Sequence, residues 1–375
     1  MDIVLHRNDQ PSGLAQHYTT AFKDAVELYL VSAYLTNWDA GFKLMPSCKR
    51  FRFIIGRDFG ITRKKACQDV LAWLPASRKA DFLVADQIEG FHPKAAFWRG
   101  RDGKAYMLMG SSNLSKAAFE SNIEANVICK ITEKDFQAAK EWIEWISELS
   151  VPVSQDWLDQ YVEAKRTGRG GSPSKAEQPV VSFKLPKPRG VKQLLQDRRN
   201  QLAVYAKHRA GLERLFLAAA DGSITSKMFY QELPKHWGLQ LGNRLQRMGW
   251  ERMGAGADFQ DLAGSYLAIR DANKGERDDV VRYQMDRLHE ASNPARKAFL
   301  SEMLCLRFPD AYPVLNEPVH KFITANRIKS QRGSSEGAKY IDLAKKLRLA
   351  LKANPDYPAR SLAELDLLIW AVYGD

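Results

Sequence analysis

A stretch rich in glycine, proline, serine and positive charge divides the sequence into two parts. Residues 165–190 read KRTGRGGSPSKAEQPVVSFKLPKPRG, with few side chains that a core would bury. Such a composition is typical of a flexible linker. We therefore predict a first domain over residues 1–164, a basic flexible linker over 165–190 and a second domain over 191–375.

Strand and helix patterns alternate in the first part. Short runs rich in β-branched and aromatic residues predict strands, and apolar residues at helical spacing predict helices. An Asp-Gly turn joins two of the strands into a hairpin, and Thr62 and Thr132 precede the helices as N-caps. These patterns predict an α/β domain in which helices flank a mixed sheet. The strands are expected at residues 27–34, 51–56, 95–98, 104–109 and 124–131, and the helices at 62–74 and 132–149, with Trp142 and Trp145 in the core.

Strand patterns nearly vanish after residue 191, where helical periodicity dominates. Asn293-Pro294 and Ser361 resemble helix starts, because Pro is favoured at the first helical position and Ser at the N-cap. We predict a mostly α-helical second domain that chooses a target, binds a partner or regulates the first. Its helices are expected at residues 191–220, 279–291, 294–306, 336–353 and 361–373.

Most of the net charge lies in one short stretch. The whole chain carries +12, while residues 165–214 alone carry 13 basic and 3 acidic residues. Basic side chains bind polyanions by releasing condensed counterions, so DNA is the expected partner and RNA an alternative. A solvated linker that contacts nothing is the other interpretation of this stretch. The candidate phosphate contacts are Lys165, Arg166, Arg169, Lys184, Lys187 and Arg189.

Other compositional features exclude several classes of protein. The four cysteines lie far apart without a CxxC pair, which argues against a disulfide framework or a thiolate zinc site. The most apolar run, residues 26–35, is interrupted by Glu27, Ser32 and Tyr34 and falls short of the ~20 residues that cross a bilayer. The polar N-terminus does not resemble a signal peptide. We expect a cytoplasmic protein with no membrane contact.

The residues suited to chemistry lie between Phe91 and Val127. His92 and Lys94 are two apart on an expected strand, so their side chains point to the same face. The hairpin returns to Gly110-Ser111-Ser112-Asn113, which would bring hydroxyl and amide donors beside the histidine and the lysine. An imidazole, an ammonium and neutral donors together suit a phosphodiester, whose oxygens gain charge during cleavage. Glu124 opens the next strand, and we expect it to orient the His92 ring.

These motifs, in this order, resemble the signature of the phospholipase D superfamily. His92-x-Lys94, Gly110-Ser111-Ser112-Asn113 and Asn122-Ile123-Glu124 carry the resemblance, which covers residues 15–150. It is closest to the nuclease branch, which includes BfiI-type restriction endonucleases and small bacterial nucleases with one motif per chain. The family often has an aspartate where this chain has Arg99, and the hairpin is longer than the compact motif.

The resemblance implies a role for each matched residue. His92 would attack phosphorus to form a phosphohistidine, and Lys94 and Asn113 would bind the phosphate. Ser111 and Ser112 would assist in substrate binding, and Glu124 would hydrogen-bond to His92. Lysine and neutral donors would supply the electrostatic stabilisation, so no metal and no cofactor are expected.

The chemistry needs a second histidine as general acid, and no other histidine here belongs to a His-x-Lys motif. We therefore predict a homodimer, formed through the N-terminal domain, that brings two copies of His92 together. The leading function is a metal-independent DNA endonuclease, with a role in restriction or anti-phage defence inferred from the family branch. The alternatives are a non-catalytic nucleic-acid-binding or adaptor protein and a phospholipid phosphodiesterase.

Overall fold

A computed structural model describes residues 1–9, 12–39, 41–164, 183–247 and 249–374. The chain forms two compact units. The first comprises Met1–Ser182 and Ser330–Ser334, and the second comprises Phe183–Lys329 and Ser335–Asp375. Each unit has its own hydrophobic core.

The first unit is built on an eight-stranded mixed sheet. Its order is β1-β7-β6-β5-β2-β3-β4-β8, in which β2, β3 and β4 run parallel and the other neighbouring pairs antiparallel. The strands are β1 Asp2–His6, β2 Ala25–Ser32, β3 Arg50–Ile55, β4 Phe82–Val84, β5 Lys94–Gly100, β6 Ala105–Gly110, β7 Glu124–Ile131 and β8 Val151–Pro152.

Helices pack against both faces of this sheet. On one face, Phe136, Ile143 and Ile146 of the fourth helix join a buried cluster with Tyr29 and Val31 of β2. On the other, Phe22 and Trp73 form an aromatic cluster that reaches Phe51 of β3. The helices are α1 Leu14–Asp24, α2 Lys64–Trp73, α3 Lys116–Glu120, α4 Glu133–Ser147 and α5 Gln155–Gln160, with 3-10 turns at Asp58–Gly60 and Ala76–Asp81.

The predicted strands are confirmed within about two residues at their ends, and the predicted hairpin joins β5 to β6. Thr132 caps α4 by accepting a hydrogen bond from the amide of Asp135. Thr62 is not an N-cap, because α2 begins at Lys64 and follows Arg63. The Thr62 hydroxyl is buried and instead donates to the Gly56 carbonyl. The edge strands β1 and β8 and the short β4 were not predicted, because a few residues carry too little periodicity.

The second unit is helical, as predicted. Ser361 caps its last helix through the amide of Glu364, while the helix predicted at Pro294 begins only at Ala298. The helices are α6 Val191–Ala220, α7 Ser226–Glu232, α8 Glu251–Gly254, α9 Phe259–Asp271, α10 Lys274–Glu290, α11 Ala298–Arg307, α12 Glu317–Ala325, α13 Glu336–Ala353 and α14 Leu362–Tyr373, with a 3-10 turn at Leu233–Lys235.

Two local expectations differ from the structure. Residues 183–190, expected in the linker, pack on the helical unit: Phe183 and Leu185 contact its core, and the Tyr357 hydroxyl donates to the Pro186 carbonyl. Trp142 and Trp145, expected in the core, are 39% and 54% exposed. At 100° per residue, Trp142 and Trp145 lie outside the stripe formed by the buried residues Phe136, Ile143 and Ile146.

None of the helices within the described residues is both long and apolar enough to cross a membrane. A search of the same residues finds no group of three or more His, Cys, Asp or Glu side chains placed to hold a metal ion.

Candidate active site

Four neighbouring strands bring the polar residues of the motifs to one edge of the sheet. β2 and β6 end at this edge, while their antiparallel neighbours β5 and β7 begin there. Lys94 at the start of β5 lies opposite Ser32 at the end of β2, and Gly110 at the end of β6 lies opposite Asn126 of β7. Residues far apart in sequence therefore converge because strand ends meet at a common edge.

A buried anchor positions His92. Phe91 is 4% exposed, whereas the next side chain, His92, is exposed. Phe91 packs against Gly56, where a Cβ atom would come within 2.4 Å of the Ala33 carbonyl oxygen and 3.0 Å of the Phe91 ring. Only a glycine fits there without displacing the backbone, so Gly56 allows the loop before β5 to approach β3 closely.

The ammonium of Lys94 lies against the imidazole ring of His92. Lys94 Nζ is 3.1 Å from His92 Nδ1, 3.3 Å from Nε2 and 3.2 Å from the backbone oxygen. The ring of Tyr34 approaches the same imidazole edge-on, with centroids 5.7 Å apart. The two side chains thus form a compact pair, as the sequence predicts, although β5 begins at Lys94 and His92 lies in the loop before the strand rather than on it.

This environment favours the neutral form of His92. Partial burial lowers the pKa of its imidazole, and the positive charge of Lys94 lowers that pKa further. Burial also lowers the pKa of Lys94, while the Glu124 carboxylate raises it. Both effects on the imidazole favour the unprotonated ring at neutral pH, which is the nucleophilic form.

The Asn113 side chain is held in one orientation. Its Oδ1 accepts hydrogen bonds from the Tyr34 backbone amide at 3.1 Å and from the Ser32 hydroxyl at 3.2 Å. A backbone N–H can only donate, so the oxygen of the Asn113 amide must face Tyr34. The Nδ2 group therefore points away from this contact, and no hydrogen bond joins it to another described residue. It remains free to donate to a phosphate oxygen.

Glu124 contacts residues other than the one predicted. It is 9% exposed, and its carboxylate accepts hydrogen bonds from the Ser111 hydroxyl and from Asn122 Nδ2. No contact among the described residues joins it to His92, whose ring faces Lys94 instead. Its effect on the pKa of Lys94 shows that it acts on the ammonium electrostatically.

The two serines of the motif form internal contacts. Ser111 donates to Glu124 and accepts from the Ala125 amide, so its proton is already engaged. Ser112 is 2% exposed and accepts from Asn126 Nδ2 at 2.8 Å, which makes it a structural residue and corrects its assignment to the substrate. Gly110 is required before them, since a Cβ there would lie 2.2 Å from the Ala125 oxygen.

The remaining predicted residues are not part of this cluster: Arg99 lies elsewhere in the first unit, and the candidate phosphate contacts lie in the second unit or outside the described residues. Arg99, where the family often has an aspartate, lies at the other end of β5 and forms ion pairs with Glu27 and Glu133. Lys165, Arg166 and Arg169 fall outside the described residues. The other three candidate phosphate contacts are exposed side chains of the second unit: Lys184, Lys187 and Arg189.

Ser32 and Tyr34 belong to none of the motifs of the predicted site. Ser32 is fully buried, and its single hydroxyl proton is shared between Asn113 Oδ1 and the Tyr34 carbonyl oxygen, which lies 2.9 Å away, while the hydroxyl oxygen accepts from the Leu114 amide. Together the two residues connect the end of β2 to the Asn113 loop. The available signal was a serine at the end of the apolar run of β2 and a tyrosine two residues later.

Comparisons with known proteins add little to this description. No protein-family model matches the sequence, and no curated protein matches it. Among solved structures, NucT from Helicobacter pylori aligns over 40% of this chain and 97% of its own, with 16% identity and a TM-score of 0.30. A similarity of that size does not establish a shared fold, so function must be argued from the site itself.

Proposed function

We propose that this protein is a nucleic-acid phosphodiesterase in which His92 is the nucleophile. The observation that carries the proposal is the contact between an exposed imidazole and the Lys94 ammonium, beside the free amide of Asn113. An ammonium and an amide donor next to a neutral nucleophile stabilise charge that develops on the non-bridging oxygens of a phosphodiester. The positive net charge of +12 favours a polyanionic substrate over a neutral one.

The proposed reaction proceeds in two displacements. A neutral ring nitrogen of His92 attacks phosphorus, a P–N bond forms, and the P–O bond to the leaving group breaks. A second imidazole, held in its protonated form by the negative charge of the bound phosphate, gives its proton to the leaving oxygen. That imidazole then takes a proton from water, whose oxygen attacks phosphorus and breaks the P–N bond. Lys94 and Asn113 bind the phosphate oxygens in both steps.

The second imidazole would come from another copy of the chain. An exposed apolar surface beside the site supports a homodimer: Ile3 and Leu5 of β1 are each 66% exposed, and Met109 of β6 is 40% exposed. Ile3 pairs with Val127, and Val127 pairs with Met109 on its other side. The side chains of Ile3, Val127 and Met109 therefore point to the same face of the sheet. Contiguous apolar surfaces of this kind mark protein interfaces. Met109 directly precedes Gly110, so the surface reaches the site.

Cleavage assays with purified full-length protein test this proposal. We expect nicking of single-stranded DNA, duplex DNA or RNA in the presence of EDTA, since no reacting group proposed here is a metal. His92→Ala should lower the rate by about 10³-fold or more, whereas His320→Ala, at an exposed histidine of α12, should not. If the wild-type protein binds nucleic acid without cutting it, the protein is a non-catalytic nucleic-acid-binding protein. Headgroup release from vesicles without nucleic-acid cleavage would indicate a phospholipid phosphodiesterase.

A mixing experiment tests the second imidazole. After equal amounts of wild-type and His92→Ala protein have exchanged subunits, only wild-type pairs would contain both histidines. We then expect about one quarter of the activity of an equal total amount of wild-type protein, compared with about one half for chains that act alone. Retention of one half after demonstrated exchange would show that one chain holds a complete site. A place in restriction or anti-phage defence, which the sequence resemblance suggests, would be tested by phage challenge with the same variants.

A further inference from the structure

A cluster of positive and imidazole side chains lies on α6 of the helical unit, and the site described above does not use it. Lys207, Gly211 and Arg214 are four and three residues apart, so they lie along one face of this helix. Lys207 and Arg214 are exposed, and neither has an ion pair with a described residue. The face therefore carries positive charge without a matching acid.

The imidazole ring of His236 packs on this face of α6 at Gly211. A Cβ at Gly211 would lie 2.5 Å from His236 Nδ1 and 2.7 Å from Cε1, so the ring packs directly on the backbone of α6. Asn243, which is fully buried, holds the loop by donating to the His236 carbonyl at 2.9 Å and accepting from the Gly238 amide. Gly211 and Asn243 thus place a half-buried imidazole between Lys207 and Arg214.

The charges around the imidazole are mostly positive. Burial lowers the pKa of His236, and Arg214, His208 and Lys235 lower it further, while Glu232 opposes them. Glu232 is paired with Lys235 at 2.5 Å, so that lysine is locally neutralised. An approaching anion would relieve the repulsion that Arg214 and His208 exert on a protonated ring.

We propose that this face of α6, formed by Lys207, His208, Arg214 and His236, binds the phosphate backbone of a nucleic acid. The proposal rests on the proposed function in that the bound strand would be the substrate. Lys207 and Arg214 are seven positions apart, which is about 10 Å along the helix and matches roughly three nucleotides at the 3.4 Å rise of one strand. Two cations about 10 Å apart with imidazole groups between them suit a phosphodiester backbone better than an isolated carboxylate.

Charge reversal in a cleavage-deficient background tests this surface. In full-length His92→Ala protein, we compare Lys207→Glu/Arg214→Glu with Lys339→Glu/Lys352→Glu, which changes the charge equally at two exposed lysines of α13. Fluorescence anisotropy with single-stranded DNA, duplex DNA and RNA gives Kd at several salt concentrations. We expect Lys207→Glu/Arg214→Glu to raise Kd about tenfold or more and to reduce the slope of log K against log salt by about 2. The two substitutions on α13 should change both quantities much less. Equal effects of the two pairs, or no effect of either, would overturn the proposal.

Two further measurements distinguish loss of binding at this surface from misfolding and from loss of the proposed catalysis. Lys207→Gln/Arg214→Gln removes charge without introducing acids and should produce a smaller change in the same direction. Proteins that retain His92 are also assayed on a chromogenic phosphodiester without a polynucleotide chain, on which the α6 variant should match the wild type. If the wild type does not cleave, the proposed function fails while the binding comparison still stands. If the α6 variants bind all three nucleic acids normally, the surface is not a nucleic-acid site, whatever other acidic partner it has.

Discussion

At the scale of single residues, one amide illustrates how the site is specified. Asn113 can serve as a phosphate donor only if its Nδ2 faces outward, and the Tyr34 backbone amide imposes that orientation by requiring the oxygen on its own side. The Ser32 hydroxyl reinforces the arrangement from a fully buried position. Ser32 and Tyr34 lie outside the motifs, and their contacts fix the orientation of Asn113, which lies inside one.

Substitutions at Asn113 test this orientation. Asn113→Asp can still accept from Tyr34 but would direct a carboxylate oxygen toward the phosphate, whereas Asn113→Ala only removes the donor. We expect kcat/KM on nucleic acid to fall about 10²-fold for Asn113→Ala and further for Asn113→Asp. Asn354→Asp, at the exposed end of α13, serves as the control. Equal or higher activity of Asn113→Asp relative to Asn113→Ala would mean that the amide does not donate to the phosphate.

At the scale of elements, α11 shows the cost of a carboxyl group in a core. Every side chain from Phe299 to Leu306 is buried, and this stretch includes Glu302. Its Oε1 accepts from the Leu245 amide at 2.5 Å, while Oε2 has no hydrogen-bond partner among the described residues. Burial raises the pKa of Glu302 to about 7, although the Leu245 hydrogen bond and Arg244 oppose the shift. The folded helix therefore favours the protonated acid.

The raised pKa predicts how the stability of the helical unit depends on pH. Between the ordinary pKa of 4.5 and about 7, the folded state keeps a proton that the unfolded state has lost. The contribution of Glu302 to the free energy of unfolding is fully present below pH 4.5. This contribution is lost as the pH rises through 7, by about 3 kcal/mol in total. Glu302→Gln should therefore raise the free energy of unfolding at pH 8 and leave it nearly unchanged at pH 4.5.

Urea unfolding followed by far-ultraviolet circular dichroism at the two pH values measures this difference. Glu290→Gln, at an exposed position of α10, makes the same chemical change without burial and should show no such pH dependence. An equal effect of Glu302→Gln at both pH values would mean that Glu302 is already ionised in the folded protein at low pH.

At the scale of the whole molecule, the sheet order decides which apolar surface is left without a cover. β1 is an edge strand that pairs only with β7, and its Ile3 and Leu5 side chains remain exposed. An exposed apolar edge strand is a hazard for aggregation unless a partner covers it. We assign that role to a second copy of the chain, because Met109 of the same surface directly precedes Gly110 at the strand ends where the site lies.

Charged substitutions on β1 test the dimer. Ile3→Lys/Leu5→Lys should convert the protein to a monomer in light scattering coupled to size-exclusion chromatography, and cleavage should fall with the loss of dimer. Met228→Lys/Val372→Lys places the same charges at two exposed apolar positions of the helical unit and should change neither property. A wild-type protein that is already monomeric and active, or a β1 variant that remains dimeric, would contradict this assignment of the surface.

The sequence alone was sufficient for several local patterns. Short runs rich in β-branched and aromatic residues and the Asp-Gly turn predicted β5 and β6, and the His-x-Lys spacing predicted that His92 and Lys94 lie together. Capping residues predicted the starts of α4 and α14. The same local reasoning failed for Thr62, because its hydroxyl satisfies the Gly56 carbonyl, a partner that becomes a neighbour only in the folded chain.

Residue types and spacings thus determined the classes of the two domains, the boundaries of the central strands and of several long helices, and the histidine–lysine pair, since all of these depend on interactions within a few residues. The tertiary structure decided the partners of Glu124, the burial of Ser112 and the orientation of Asn113. It also decided that Gly211 seats His236 on α6. Hydrogen bonding and burial depend on which atoms meet after the chain has folded, and separation along the sequence does not encode that information.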